Sequence, residues 1–141
     1  MKYFFDSSVL VPVFLDDHIH HEASFAAFLA ASRKNSACAA HTLAEVFSAL
    51  TRIPGPNRAT ANEAMLFLEL IESQFSFVAL ETGEYWAVLR ECSEIGIVGG
   101  AVYDALIARC ALKSGADVLY TWNVADFRRL GVDISKRVRT P

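Results

Sequence analysis

Long apolar runs, paired cysteines and an excess of basic charge are all missing from this chain of 141 residues. Charged residues break every window long enough to span a bilayer, so no membrane-crossing helix is expected. The three cysteines, Cys38, Cys92 and Cys110, are odd in number and far apart. That speaks against a disulfide framework or a cysteine metal centre and leaves reduced, buried thiols. Lys and Arg number 13 against 16 Asp and Glu, a formal net charge of −3. Such a balance does not suggest a protein that binds nucleic acid through bulk charge. A nuclease stays open, because a bound divalent ion reverses the local sign. The N-terminus has no signal-peptide pattern, since Asp6 interrupts its apolar start, and a cytoplasmic location is expected.

What the chain has in quantity is apolar character. Hydrophobic residues make up 53% of it, which excludes a disordered class and supports one domain over residues 1–141. Part of that apolar surface is expected to meet a partner or a second copy. The pattern alternates strands and helices. Residues 2–5 read as a buried parallel strand, aromatic and unalternated. Helices are expected over 7–15, 18–33, 42–53, 60–73, 82–95 and 102–114, with Pro54-Gly55-Pro56 stopping the third and Gly96 and Gly115 ending the last two. Further strands are expected at 37–40, 75–80 and 117–121, and a short one at 132–134 before a basic tail of Lys136, Arg137 and Arg139. A turn and short helix fill 123–130. Strands alternating with helices predict an α/β three-layer fold with a mainly parallel sheet.

Against this apolar background stand four acids: Asp6, Glu45, Asp104 and Asp126. A carboxylate near apolar surface costs free energy unless it is paired or metal-bound, and no Lys or Arg is placed beside each of these. Asp6 and the pair Asn123 and Asp126 fall just past the carboxyl ends of predicted strands, the edge where open α/β sheets bind ligands. Glu45 and Asp104 fall in first turns of helices that can reach the same edge. Each acid also has a plainer reading. Asp6 can cap the helix after it, Thr42 and Glu45 have capping-box spacing, Asn123 and Asp126 repeat that spacing, and Asp104 suits a helix dipole. The joint pattern, rather than any one member, favours a shared cation.

Hard oxygen ligands of this kind suit magnesium or manganese, and an acid cluster of three or four suits metal-dependent phosphodiester hydrolysis. Ser8 and Thr121 can orient a carboxylate or a metal water through their hydroxyls, and Asn123 offers a neutral oxygen. His18 and His21, three apart, could share a metal, but no acid or further ligand pair accompanies them; solvent-facing or partner-contacting histidines are the better reading. His41 precedes a helix near the acidic edge and is given at most a minor role.

At these residues the chain resembles the PIN-domain ribonucleases, and most of all the VapC-type toxins of bacterial toxin–antitoxin pairs. The resemblance rests on Phe5-Asp6-Ser7-Ser8, Thr42-Leu43-Ala44-Glu45-Val46, Asp104-Ala105-Leu106-Ile107-Ala108 and Thr121-Trp122-Asn123-Val124-Ala125-Asp126-Phe127, in that order over almost the whole length. It implies a PIN-like α/β/α sandwich with a mainly parallel central sheet. It implies that Asp6, Glu45 and Asp104 bind Mg2+ or Mn2+ with Asp126 as the fourth acid, supported by Ser8, Thr121 and Asn123. Some relatives carry an acid where this chain has Asn123, which leaves the division of labour between Asn123 and Asp126, and the number of metals, open. The resemblance further implies an RNA substrate, a homodimer, and a cognate antitoxin whose tail lies near the acids, where an arginine can neutralise them.

Compatible surfaces are present. Met65, Leu66 and Leu70 with Phe67 and Leu68 make the fourth predicted helix apolar nearly all round, which suits a dimer or antitoxin contact or else a deeply buried helix. Arg52, Arg58, Arg128, Arg129 and the basic tail can hold phosphates around the acids, though scattered solubilising charge is the plainer reading for any one. Two alternatives share the residues: a catalytically silent PIN-like module that binds RNA or protein, and a stand-alone RNA-processing nuclease. A receiver or aspartyl-phosphate enzyme fits poorly, because Ser8 stands where such phosphatases carry a second Asp.

Overall fold

The computed structural model describes all 141 residues. The chain runs β1 (Tyr3–Phe5), α1 (Ser7–Val13), α2 (His21–Ala30), β2 (Ser36–Ala39), α3 (Ala40–Arg52), α4 (Ala61–Gln74), β3 (Ser76–Val78), α5 (Thr82–Ile95), α6 (Ala101–Ser114), β4 (Val118–Tyr120), α7 (Val124–Arg128), α8 (Val132–Ser135) and β5 (Val138–Arg139). The five strands form one sheet in the order β3-β2-β1-β4-β5, and every pair is parallel.

The strand order explains the sequence of β1. It is the central strand, covered on both faces, so it has no solvent side to fill with polar residues. Phe5 joins Val9, Leu10, Phe28, Val46, Leu50 and Ile71 on the face covered by α1 to α4. Its neighbour Phe4 points the opposite way, into a core with Ile107, Ala111, Leu119, Phe127 and Val138 under α6 to α8. β2 repeats the alternation, with Cys38 in the first core and Ala37 and Ala39 in the second. The result is an α/β/α sandwich. All three cysteines are free and buried, as the sequence predicts.

Helix ends follow local chemistry. Thr60 and Glu63 form a reciprocal capping box at the start of α4, with bonds of 3.1 and 3.0 Å. Gly96 (φ 77°) and Gly115 (φ 72°) close α5 and α6 in the left-handed region that glycine enters without strain. Three expectations need correction. Residues 132–134 form the helix α8 rather than a strand, and the last strand is the pair Val138–Arg139, inside the segment read as a basic tail. The second helix begins at His21 rather than residue 18, because residues 14–20 turn after α1. α3 begins at Ala40, so Glu45 sits in its second turn rather than its first. No helix is long and apolar enough to cross a membrane.

Candidate active site

Chain connectivity reverses at β1. The path leaves β1 for β2 and β3 on one side, then returns through α6 to β4 on the other. The crevice past the carboxyl ends of β1 and β4 is therefore the switch point of the sheet, where open α/β folds bind ligands. Asp6 follows β1, and Thr121, Asn123 and Asp126 follow β4. α3 leaves β2 at this edge carrying Glu45, and α6 begins here with Asp104 in its first turn.

Asp6 is the fixed point. It is only 2% exposed and its carboxylate oxygen Oδ2 accepts from Thr121 Oγ1 at 2.9 Å and from the Ser8 amide at 3.4 Å. Thr121 Oγ1 also accepts from the Asn123 amide at 3.0 Å. Ser8 Oγ lies 3.2 Å from Thr121 Oγ1 and accepts from the Trp122 amide at 2.9 Å. With the Thr121 proton directed at Asp6, the Ser8 proton is left for Thr121, so the hydroxyls form one directed chain ending on the carboxylate. Thr121 and Ser8 thus fix the orientation of the Asp6 side chain. Asp6 also caps α1, as its plain reading has it.

The plain reading of Asp104 also holds, since it stands in the first turn of α6, but the capping-box readings fail. The cap of α3 is Ala39, with no side-chain bond, and neither Thr42 nor Glu45 closes a capping box. Thr42 Oγ1 and Glu45 Oε1 are instead buried without any hydrogen-bond partner. Asn123 precedes α7 without a side-chain cap bond. The chain's ion pairs, Arg109–Glu91, Lys113–Glu84 and Lys136–Asp133, all lie elsewhere.

Electrostatics reports the same crowding. Burial raises Asp6 above the ordinary carboxylate range, against the pull of its bonds from Ser8 and Thr121. Burial raises Glu45 to about 7, with repulsion from Asp6 and Asp104 adding to it and the Ser7 hydroxyl pulling back. Asp104 is raised to about 6 by burial, then by Asp6 and Asp126, with Arg129 opposing. The four acids therefore form one interacting set. Asp126, on α7, is the exposed member, and its reach is to Asp104.

A hard divalent cation suits this set. The donors are all oxygen, Glu45 Oε1 lacks a partner, and a cation would offset the burial and mutual repulsion that raise the carboxyls. No three His, Cys, Asp or Glu side chains close on one point. A magnesium ion here would be held through one or two carboxylates and would complete its shell with water and phosphate oxygens. The histidine pair does not compete: His18 Nδ1 accepts from the His20 amide at 3.0 Å, and His21 Nδ1 lies 2.8 Å from the Pro12 carbonyl.

Beside the acids opens a cleft of about 730 Å³, lined by Ser7, Ser8, Glu45, Arg52 and Asn123 and by rings of His18, His20, His41, Tyr103 and Trp122. Arg129 is named in the sequence only among scattered phosphate-holding arginines, and Ser7 and the ring-bearing wall are not singled out there as parts of the site. An arginine pair after Phe127 reads as surface charge, and His20 and Trp122 stand 102 positions apart, so nothing local signals their stacking.

A parallel α/β/α sandwich with an interacting acid set at its switch point defines a class of phosphodiester-handling domains, and comparison with known proteins places the chain within it. The PIN domain family matches residues 3–132, and the chain belongs to that family. It is similar to Ribonuclease VapC40 of Mycobacterium tuberculosis, 34% identical over 114 residues covering 81% of each chain. It is also similar to Ribonuclease VapC27 of the same species, 32% identical over 113 residues, 80% of this chain and 79% of that one. Among solved structures, M. tuberculosis VapC20, described as a sarcin–ricin loop cleaving toxin, shares the fold with a TM-score of 0.72 at 13% identity, covering 89% of this chain and 92% of its own. VapBC2 of Rickettsia felis bound to a promoter DNA fragment gives a TM-score of 0.68 at 19% identity, covering 99% and 98%.

Proposed function

We propose that this chain is a metal-dependent endoribonuclease and the toxin of a toxin–antitoxin pair, held inactive by a cognate antitoxin. The observation that carries this reading is the buried Asp6, oriented by Thr121 and Ser8 and facing Glu45 and Asp104, none of the three held in an ion pair. The ribonuclease names of relatives at 32–34% identity support the reaction and the biological setting.

In this reading Asp6, Glu45 and Asp104 hold Mg2+ or Mn2+, one or two of them directly and the rest through its waters, and Asp126 acts at the exposed rim. The bound ion supplies a more acidic water and positive charge against the phosphate. Asp6 presents one fixed oxygen edge, because Thr121 and Ser8 occupy Oδ2. Arg129, near Asp104, and Arg52, in the cleft, bring positive charge to an RNA backbone.

Partners follow from surface chemistry. α4 buries only Ala64 and Ile71 and leaves Met65, Leu66 and Leu70 about half exposed, so it is not a deeply buried helix. We assign this face to a homodimer. An antitoxin arginine entering the acid set would replace the missing cation with charge-assisted hydrogen bonds.

Expression in growing cells tests the biological half. Wild type should arrest growth and the antitoxin should relieve it, while Asp6→Asn should be harmless yet still capture the antitoxin. Arrest by Asp6→Asn equal to wild type would remove the acid site from the account.

A further inference from the structure

The cleft beside the acids is walled by flat rings. His20 lies on Trp122 with ring centroids 3.7 Å apart and planes 7° from parallel. His41 lies along Tyr103, 10° from parallel with centroids 5.8 Å apart. All four rings line the one cleft, together with Glu45 and Asn123. Trp122 is held rigidly. Its Nε1 donates to Ser24 Oγ at 3.0 Å, and its amide donates to the same Ser8 hydroxyl that reaches Thr121. The bonds that orient Asp6 therefore also set the indole. Tyr103 is the residue before Asp104 and is 52% exposed, so it is not a core ring.

We propose that this cleft is a subsite for one unpaired nucleobase next to the scissile phosphate, stacked on the outer face of His20, which is backed by Trp122, with Tyr103 and His41 as its second wall. The proposal rests on the RNA-cutting reading of the acid site and names where its substrate is gripped. Stacking on a pre-set ring costs little ordering entropy. It is worth about 5- to 150-fold in affinity per base and tolerates any sequence, because every base has a π-face. A base inside a duplex has both faces covered, so the site selects single-stranded RNA. The lining favours a base over a partner helix. Five of its lining residues carry flat rings, three of them histidines, whereas a docking helix lays an apolar face into an apolar groove. Ser48, His18 and Asn123 offer polar groups to the edges of a base.

Tryptophan emission reads this directly. The chain has two tryptophans, and Trp86 is an exposed residue of α5 beside Arg90, outside the cleft. Trp86→Phe leaves Trp122 as the only indole, and adding Asp104→Asn stops turnover during titration. A short single-stranded oligoribonucleotide should quench Trp122 saturably. An abasic strand with the same phosphates should bind about 5- to 150-fold more weakly, and a duplex should not quench. In otherwise wild-type protein, Trp122→Ala should raise KM more than it lowers kcat, and Trp122→Phe should restore KM. Equal quenching by abasic and base-bearing strands would overturn the proposal. So would quenching by the antitoxin tail with none by RNA, which would give the cleft to a peptide. Cleavage by Trp86→Phe alone checks the underlying reading separately. If that protein cuts nothing, base-dependent quenching still supports a nucleobase cleft, and its absence rejects both.

Discussion

Thr121 Oγ1 donates a 2.9 Å hydrogen bond to Asp6 Oδ2 and so ties the residue after β4 to the residue after β1 across 115 positions of sequence. Both are buried, so the bond is shielded from competing water. It fixes which oxygen edge of Asp6 is left for a cation. Thr121→Val keeps the shape of the side chain and deletes the donor. Loss of a partner behind a metal-binding carboxylate costs about 10- to 100-fold in metal affinity or activity. Thr121→Val should therefore need more Mn2+ for half-maximal cleavage, and Thr121→Ser should recover most of the difference. Identical metal titrations for Thr121→Val and wild type would show that the bond is structural only.

Removing the carboxylate itself should be more severe. Asp6→Asn should lower cleavage by more than the ~100-fold ceiling of a supporting partner. The metal-free variant should melt no lower than wild type near pH 7.5, because the substitution removes a buried, repelled charge. Differential scanning calorimetry in EDTA checks this. A large drop in Tm would mean that Asp6 is retained chiefly as a helix cap.

Burial, with the same repulsion added, gives a pH dependence with a definite sign. Asp104 and Glu45 titrate near 6 and 7 in the folded chain against 3.8 and 4.5 ordinarily. Between those limits the folded state binds more protons than the unfolded state, so their contribution to stability is full below about pH 4 and is lost as pH rises through 6 to 7. Metal-free protein should accordingly lose Tm over that interval, after allowance for other groups by comparison with Asp104→Asn. Added Mg2+ should raise Tm at pH 7.5 and have little effect at pH 5, where protons occupy the carboxyls. A Mg2+ effect of equal size at both values would place the cation elsewhere.

The exposed face of α4 makes a separate prediction. Leu66 is 60% exposed between Met65 and the half-buried Phe67. Leu66→Glu should convert a dimer to a monomer in light scattering with no change in helix content. A wild-type monomer at high concentration would withdraw the dimer.

Much of this was legible in the sequence, for physical reasons. β1 reads clearly because a central parallel strand must be apolar on both faces, and Phe4 and Phe5 fill the two cores. The acids stand out because each interrupts an apolar context. The C-terminal segment was misread because β5 has two residues, which carry no period. Its pairing to β4 is made by backbone groups that any residue supplies. Val132, called a strand residue, is 81% exposed at the start of α8, and only Ile134 turns inward. The start of α3 was placed two residues late because Thr42 looks like a cap, whereas it is buried inside the helix. The stack of His20 on Trp122 depends on the chain returning from β4 to the start of α2, and only the tertiary fold shows it.

The most direct test is cleavage of a cellular RNA pool by the purified, antitoxin-free chain with Mg2+, with Mn2+ and with EDTA, beside Asp6→Asn and Asp104→Asn. The account predicts discrete fragments with either metal, none in EDTA and none from either variant. Cutting that persists in EDTA or in both variants, or no cutting by well-folded wild type with either metal, would contradict it.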